Sequence, residues 1–146
     1  MFLVGGNSAQ LLGQTFASRM WPMRVRMITG DPIANAIRLL VPTPETRVVV
    51  FDPAMPADAA TYASSISTIL AAAAPATVVW VEDWRPERGA WRDAVAAAAK
   101  ASKTMTVLPT ATLVSKSKWL DPAGGLVEEG RDAVIDRIVA AMNKPR

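Results

Sequence analysis

The chain has 146 residues, 51% of them hydrophobic and 20% charged, with no Cys, no His and a net charge of +3. That length suits one domain with its own core. The missing residue types exclude disulfides, thiolate nucleophiles, Cys or His metal ligands and any step that needs this chain's own imidazole. No apolar run reaches the roughly 20 residues of a membrane-spanning helix.

Strand-like and helix-like segments alternate throughout. Phe2–Val4 is a short apolar run ended by Gly5-Gly6. Residues 8–20 carry Leu12, Phe16 and Met20 at four-residue spacing, the apolar stripe of a helix. Met23, Val25 and Met27 alternate with Arg24 and Arg26, predicting a strand over residues 23–28. Gly30-Asp31-Pro32 reads as a turn before a short helix over 32–40, with Ile33, Ile37 and Leu40 facing inward. Pro42 and Pro44 mark a loop, and Arg47–Phe51 is a β-branched and aromatic run of the kind buried on both faces of a sheet.

Asp52-Pro53 ends that strand. The spacing of Tyr62, Ile66, Ile69 and Ala73 predicts a helix over 57–74, stopped by Pro75. Thr77–Val81 reads as a fourth buried strand, residues 87–103 as an Ala-rich helix and Thr104–Leu108 as a fifth strand. Residues 109–126, broken by Pro109, Pro122 and Gly124-Gly125, read as an irregular loop. Val127, Val134, Ile138 and Met142 mark a last helix over 127–142. This alternation predicts one α/β domain over residues 1–146: a three-layer α/β/α sandwich around a five-stranded parallel sheet in the flavodoxin-like order 2-1-3-4-5.

Lys and Arg number 16 against 13 Asp and Glu. Residues 1–30 hold Arg19, Arg24 and Arg26, and residues 94–120 hold Lys100, Lys103, Lys116 and Lys118, with no acid in the first stretch before Gly30 or in the second. Without RNA-binding aromatics beside them, these read as solvated faces and not as a nucleic-acid surface. The chain starts on a strand-like run with no leader pattern ahead of it, so the expectation is a cytoplasmic protein or a component of a particle or assembly.

In open parallel sheets, ligands bind beyond the carboxyl ends of the strands. The residues expected there are Gly5-Gly6-Asn7-Ser8, Thr29 to Asp31, Asp52 to Met55, Glu82-Asp83-Trp84 and the 109–126 loop. Gly5 to Gln10 matches neither the dinucleotide fingerprint nor the phosphate-binding loop with its Lys. Ser8 is then either a nucleophile at a strand-to-helix turn or, with Asn7, a helix cap. The free amides of Gly6, Asn7 and Ser8, flanked by Asp31 and Asp52, also outline a site for a small anionic ligand. No cofactor or metal enters the reading, although Asp52 and Asp121 are oxygen donors suited to a hard cation.

The run Phe2-Leu3-Val4-Gly5-Gly6-Asn7-Ser8-Ala9 resembles the opening block of the SGNH (GDSL-like) hydrolase family, with Asn7 in place of Asp and one extra Gly. The stretch from Trp119 through Asp121, Gly125, Leu126 and Glu129 to Gly130 is similar to that family's closing block. The resemblance implies Ser8 as the nucleophile position. It also places the family's catalytic His on Gly125 and its Asp on Pro122, one place from Asp121. The family's oxyanion-hole Gly-x-Asn is replaced by Asp52-Pro53-Ala54-Met55.

Without a base, a serine hydroxyl is a weak nucleophile. The leading expectation is therefore a pseudoenzyme: an SGNH-like scaffold serving as a structural or protein-interaction module, with a protein partner or self-association, in a larger assembly such as a viral particle. The five Trp residues offer contact anchors for such a partner if several stand exposed together. The alternative is a serine esterase acting on acyl esters through Ser8 with Asp31, Asp52 or Asp121 as an unusual base. The third is the anion binder at Gly6 to Ser8.

Overall fold

A computed structural model of the chain describes residues 2–4, 15, 19, 26–28, 33–51, 58–84, 89–115 and 118–143. Strand β1 is Phe2–Val4, β2 Arg26–Ile28, β3 Arg47–Phe51, β4 Thr77–Val81 and β5 Met105–Leu108. Helix α1 is Ile33–Leu39, α2 Ala59–Ala73, α3 Gly89–Ala101, α4 Thr110–Ser115 and α5 Glu128–Met142. Thr15 and Arg19, inside the helix predicted over 8–20, are both helical.

The strands pair in the order β2-β1-β3-β4-β5, and every pairing is parallel. Strands β3, β4 and β5 form the central body, with Val49 opposite Val79 and Val79 opposite Thr106. The three-residue strands β1 and β2 extend it beyond β3.

The continuous apolar runs of β3 and β4 are explained by cover on both faces. Alternate side chains leave a strand on opposite sides. Val48, Val50, Val78 and Trp80 join one core with Ile37 of α1, Tyr62, Ile66 and Ile69 of α2 and Val95 of α3. Val49, Phe51, Val79 and Val81 join a second core with Val134, Ile135, Ile138 and Met142 of α5. Each fully buried Val or Ile contributes roughly 1.5–3 kcal/mol, so these two cores hold the layers together. Tyr62 meets Trp80 edge to face, with ring centroids 6.2 Å apart.

Local signals set the helix limits. Asp58 has an extended backbone and its Oδ1 accepts the Thr61 N–H at 2.7 Å, which starts α2. Tyr62, Ile66, Ile69 and Ala73 are all buried, as their spacing requires. At the far end the Ala74 N–H donates to Leu70 O, and Pro75 cannot continue the ladder. Helix α3 packs through Trp91, Val95 and the small Ala94, Ala98 and Ala99, which let it lie close to α2 and the sheet.

One expectation is corrected. The 109–126 stretch is not an irregular loop throughout: Thr110–Ser115 is helical, and Leu120 and Leu126 form an antiparallel bridge. The helix forms because its amino end is capped by a residue far away in sequence, Glu82. No described helix is long and apolar enough to cross a membrane.

Candidate functional site

Parallel pairing brings the carboxyl ends of the strands to one end of the molecule. Of the residues expected there, Gly5, Gly6, Asn7, Ser8, Asp31, Asp52 and Met55 lie outside the described residues. The described half of this end consists of Glu82 to Trp84 after β4, Pro109 to Ser115 after β5, and the turn from Lys118 to Val127 before α5.

Glu82 is fastened to the start of α4. Its backbone N–H donates to Leu108 O at 3.1 Å, its carboxylate Oε2 accepts the Ala111 N–H at 3.2 Å, and its carbonyl accepts the hydroxyl of Thr110. Thr110 is the buried polar residue of this region, 1% exposed. The carboxylate thus satisfies an otherwise orphaned helix N–H, and the bond to the Glu82 carbonyl offsets the burial of the Thr110 hydroxyl. Sequence reasoning placed Glu82 at this end but did not find Thr110. Its partner lies 28 positions away, so no local pattern marks it.

Asp121 organises the following turn. Its Oδ1 accepts the N–H of Ala123 at 2.8 Å and of Gly125 at 2.9 Å. Its own N–H donates to Gly125 O at 2.8 Å, and the Gly124 N–H donates to Asp121 O at 3.0 Å. Gly124 has φ +83, a conformation that favours glycine. A Cβ on Gly125 would stand 2.8 Å from Asp121 Oδ2. The Trp84 indole N–H donates to Gly124 O at 3.3 Å, tying the turn to the end of β4. Below the turn, Trp119 lies against α5 at Gly130, where a Cβ would come within 2.8 Å of Trp119 Cβ.

The described tryptophans do not form an exposed cluster. Trp80 is 1% exposed, and Trp84, Trp91 and Trp119 are half-buried; Trp21 lies outside the described residues. The large apolar side chains exposed among the described residues are instead Leu39, Val41 and Leu120. The basic stretch 94–120 does not make one patch either. Lys100 and Lys103 precede β5, and Lys118 follows it, so the strand carries them to opposite ends. Lys116, Arg24 and the side chain of Arg26 lie outside the described set.

Among the described residues the two ends differ in charge. Where strands begin, Arg38, Arg47, Lys100 and Lys103 stand with Glu45 as the described acid. Where strands finish stand Asp58, Glu82, Asp83, Asp121, Glu128 and Glu129. The described cations at that acidic end include Arg92 and Arg131, which donate to the carbonyls of Asp83 and Leu126, and the exposed Lys118. Arg19 is paired with Asp132 and Asp136 along α5. Among the described residues no group of carboxylates converges as a metal site would. The Thr61 backbone N–H, and then its hydroxyl, hold the Asp58 carboxyl below its ordinary value of 3.8.

Comparison with protein-family models and with curated proteins finds no match to this chain.

Proposed function

We propose that this chain is a non-catalytic domain built on the SGNH-hydrolase plan, a three-layer α/β/α sandwich that serves as a structural or protein-interaction module in a larger assembly. The observation that carries the reading is the Asp121–Gly125 turn. The resemblance assigns the family's His to Gly125, and there a Cβ would stand 2.8 Å from Asp121 Oδ2, so a side chain fits only if that carboxylate turns aside. Asp121, the nearest acid to the family's Asp position, spends Oδ1 on two backbone N–H groups of its own turn. With no His anywhere in the chain, Ser8 has no imidazole to take its proton, and loss of a triad member leaves only weak residual catalysis.

The test is hydrolysis of p-nitrophenyl acetate by the purified chain beside Ser8→Ala. Turnover at the buffer rate, or equal turnover in both proteins, is the expected result. Turnover that disappears in Ser8→Ala overturns the reading and makes the chain a serine esterase, with Asp31, Asp52 and Asp121 as the acids to vary next.

A further inference from the structure

We infer that copies of this chain associate head to tail, the basic end of one docking on the acidic end of the next. The inference rests on the interaction-module reading and names its partner, a second copy.

Three observations support it. First, the all-parallel sheet has two ends that differ in charge among the described residues, one basic around Lys100 and Lys103 and one acidic around Glu128 and Glu129. Second, each end carries an exposed apolar contact. Leu39, 83% exposed, ends α1, and Val41, 75% exposed, lies in the connection from it to the start of β3, at the basic end. Leu120, 37% exposed, lies in the turn tied to the finish of β4, at the acidic end. Third, Val41 has φ +49, a backbone conformation disfavoured for a β-branched residue, yet its side chain adds almost nothing to its own core.

Charge decides the geometry. A two-fold contact would set Lys100 and Lys103 against their own copies, or Glu128 and Glu129 against theirs, and like charges across an interface are costly. Head-to-tail contact sets opposite signs together and brings the end that carries Leu39 and Val41 onto the end that carries Leu120. Such a heterologous contact propagates into a ring or an open filament.

Sedimentation velocity on the full chain, from micromolar to near-millimolar concentration, tests this. The average mass should rise with concentration and fall back as salt goes from about 0.05 M to about 0.5 M, where screening shortens the reach of the charges. Leu39→Ser/Val41→Ser disables one end and Leu120→Ser the other. Each variant alone should remain a single chain, and an equimolar mixture should form dimers and nothing larger, because one intact end survives on each partner. These side chains are exposed, and unchanged circular dichroism verifies that the variants fold.

A single-chain mass at every concentration overturns the inference, as does association that survives either variant or a mixture that stays monomeric. Binding of heparin by a chain that remains monomeric also overturns it, assigning the basic end to an anionic partner. The ester assay separates the two readings. A monomer without turnover removes self-association and leaves the non-catalytic module standing, whereas turnover lost in Ser8→Ala removes that module reading whatever the mass.

Discussion

Asp121 Oδ1 accepts the backbone N–H of Gly125 at 2.9 Å, closing a five-residue turn on the position that the family resemblance assigns to a catalytic His. The same oxygen holds Ala123 N. Asp121→Ala removes both bonds and should lower stability by about 1–2 kcal/mol, since each such bond is worth about 1 kcal/mol net. Asp121→Asn keeps an acceptor oxygen and should cost less. Urea unfolding of the three proteins measures the difference, and equal losses for Ala and Asn would remove the turn-holding role.

Gly125→His puts the family's residue back into the chain. Its Cβ would meet Asp121 Oδ2 at 2.8 Å, so the carboxylate must turn aside and loosen the bonds that its Oδ1 makes to Ala123 and Gly125. The expected outcome is a loss of about 1–3 kcal/mol, as for other overpacked sites, with no gain in p-nitrophenyl acetate hydrolysis. Turnover appearing in this variant and vanishing with Ser8→Ala would show a catalytic corner awaiting only its base.

Gly130→Ala tests the seating of Trp119 on α5. The added Cβ would lie 2.8 Å from Trp119 Cβ and 3.0 Å from its carbonyl oxygen, with Leu126 Cδ2 at 3.3 Å. Two of these atoms belong to backbone or to its first side-chain carbon and have little freedom to retreat. Although Ala is the better helix former, the substitution should destabilise by about 1–3 kcal/mol and shift Trp fluorescence. A gain in thermal midpoint would mean that Trp119 yields freely.

Val41→Asn should stabilise the chain. At φ +49 the valine bears the left-handed penalty of about 1–2 kcal/mol, which Asn tolerates better, so a gain of about 0.5–1 kcal/mol is expected. The residue is exposed, so little packing is lost. Thermal unfolding at low protein concentration, where association does not contribute, gives the intrinsic value.

Asp58 makes the start of α2 sensitive to acid. The Thr61 N–H and hydroxyl favour its charged form, so its pKa is lower folded than unfolded. A depressed folded value means that the carboxylate's contribution is fully present above the unfolded pKa of about 4 and is lost as pH falls through the folded one. Asp58→Asn should therefore be less stable than the parent near neutral pH, with the gap narrowing as pH drops below about 4. A gap independent of pH would show that the charge plays no part in the cap.

Much of the fold was legible from spacing alone. Tyr62, Ile66, Ile69 and Ala73 recur at helical intervals and all four are buried, because one stripe of α2 faces the sheet. The unbroken apolar runs of β3 and β4 announced cover on both faces, and the two cores supply it. Helix α4 was not legible. Its six residues carry no long periodic pattern, and its amino end is held by Glu82 at the end of the neighbouring strand β4.

The candidate site was legible only as a list of residues at one end of a sheet. Asp121 reads as a spare carboxylate in the sequence; in three dimensions its Oδ1 is engaged by Ala123 and Gly125. The five tryptophans offered contact anchors only if several stood exposed together; of the four described, Trp80 lies in the core and Trp84, Trp91 and Trp119 are half-buried.

By itself the sequence determined the alternation of strands and helices, the two-sided burial of the central strands and the lack of an imidazole, because these follow from local periodicity and composition. The sequence already listed Glu82 and Asp121 at one end of the sheet, and tertiary structure decided what those carboxylates bond to. A strand only a few residues long carries Lys103 and Lys118 to opposite poles, and parallel pairing gathers Glu82, Asp121 and Glu128, remote in the chain, at one of them. Hydrogen bonds between distant segments then decide which of those groups hold the fold and which face outward.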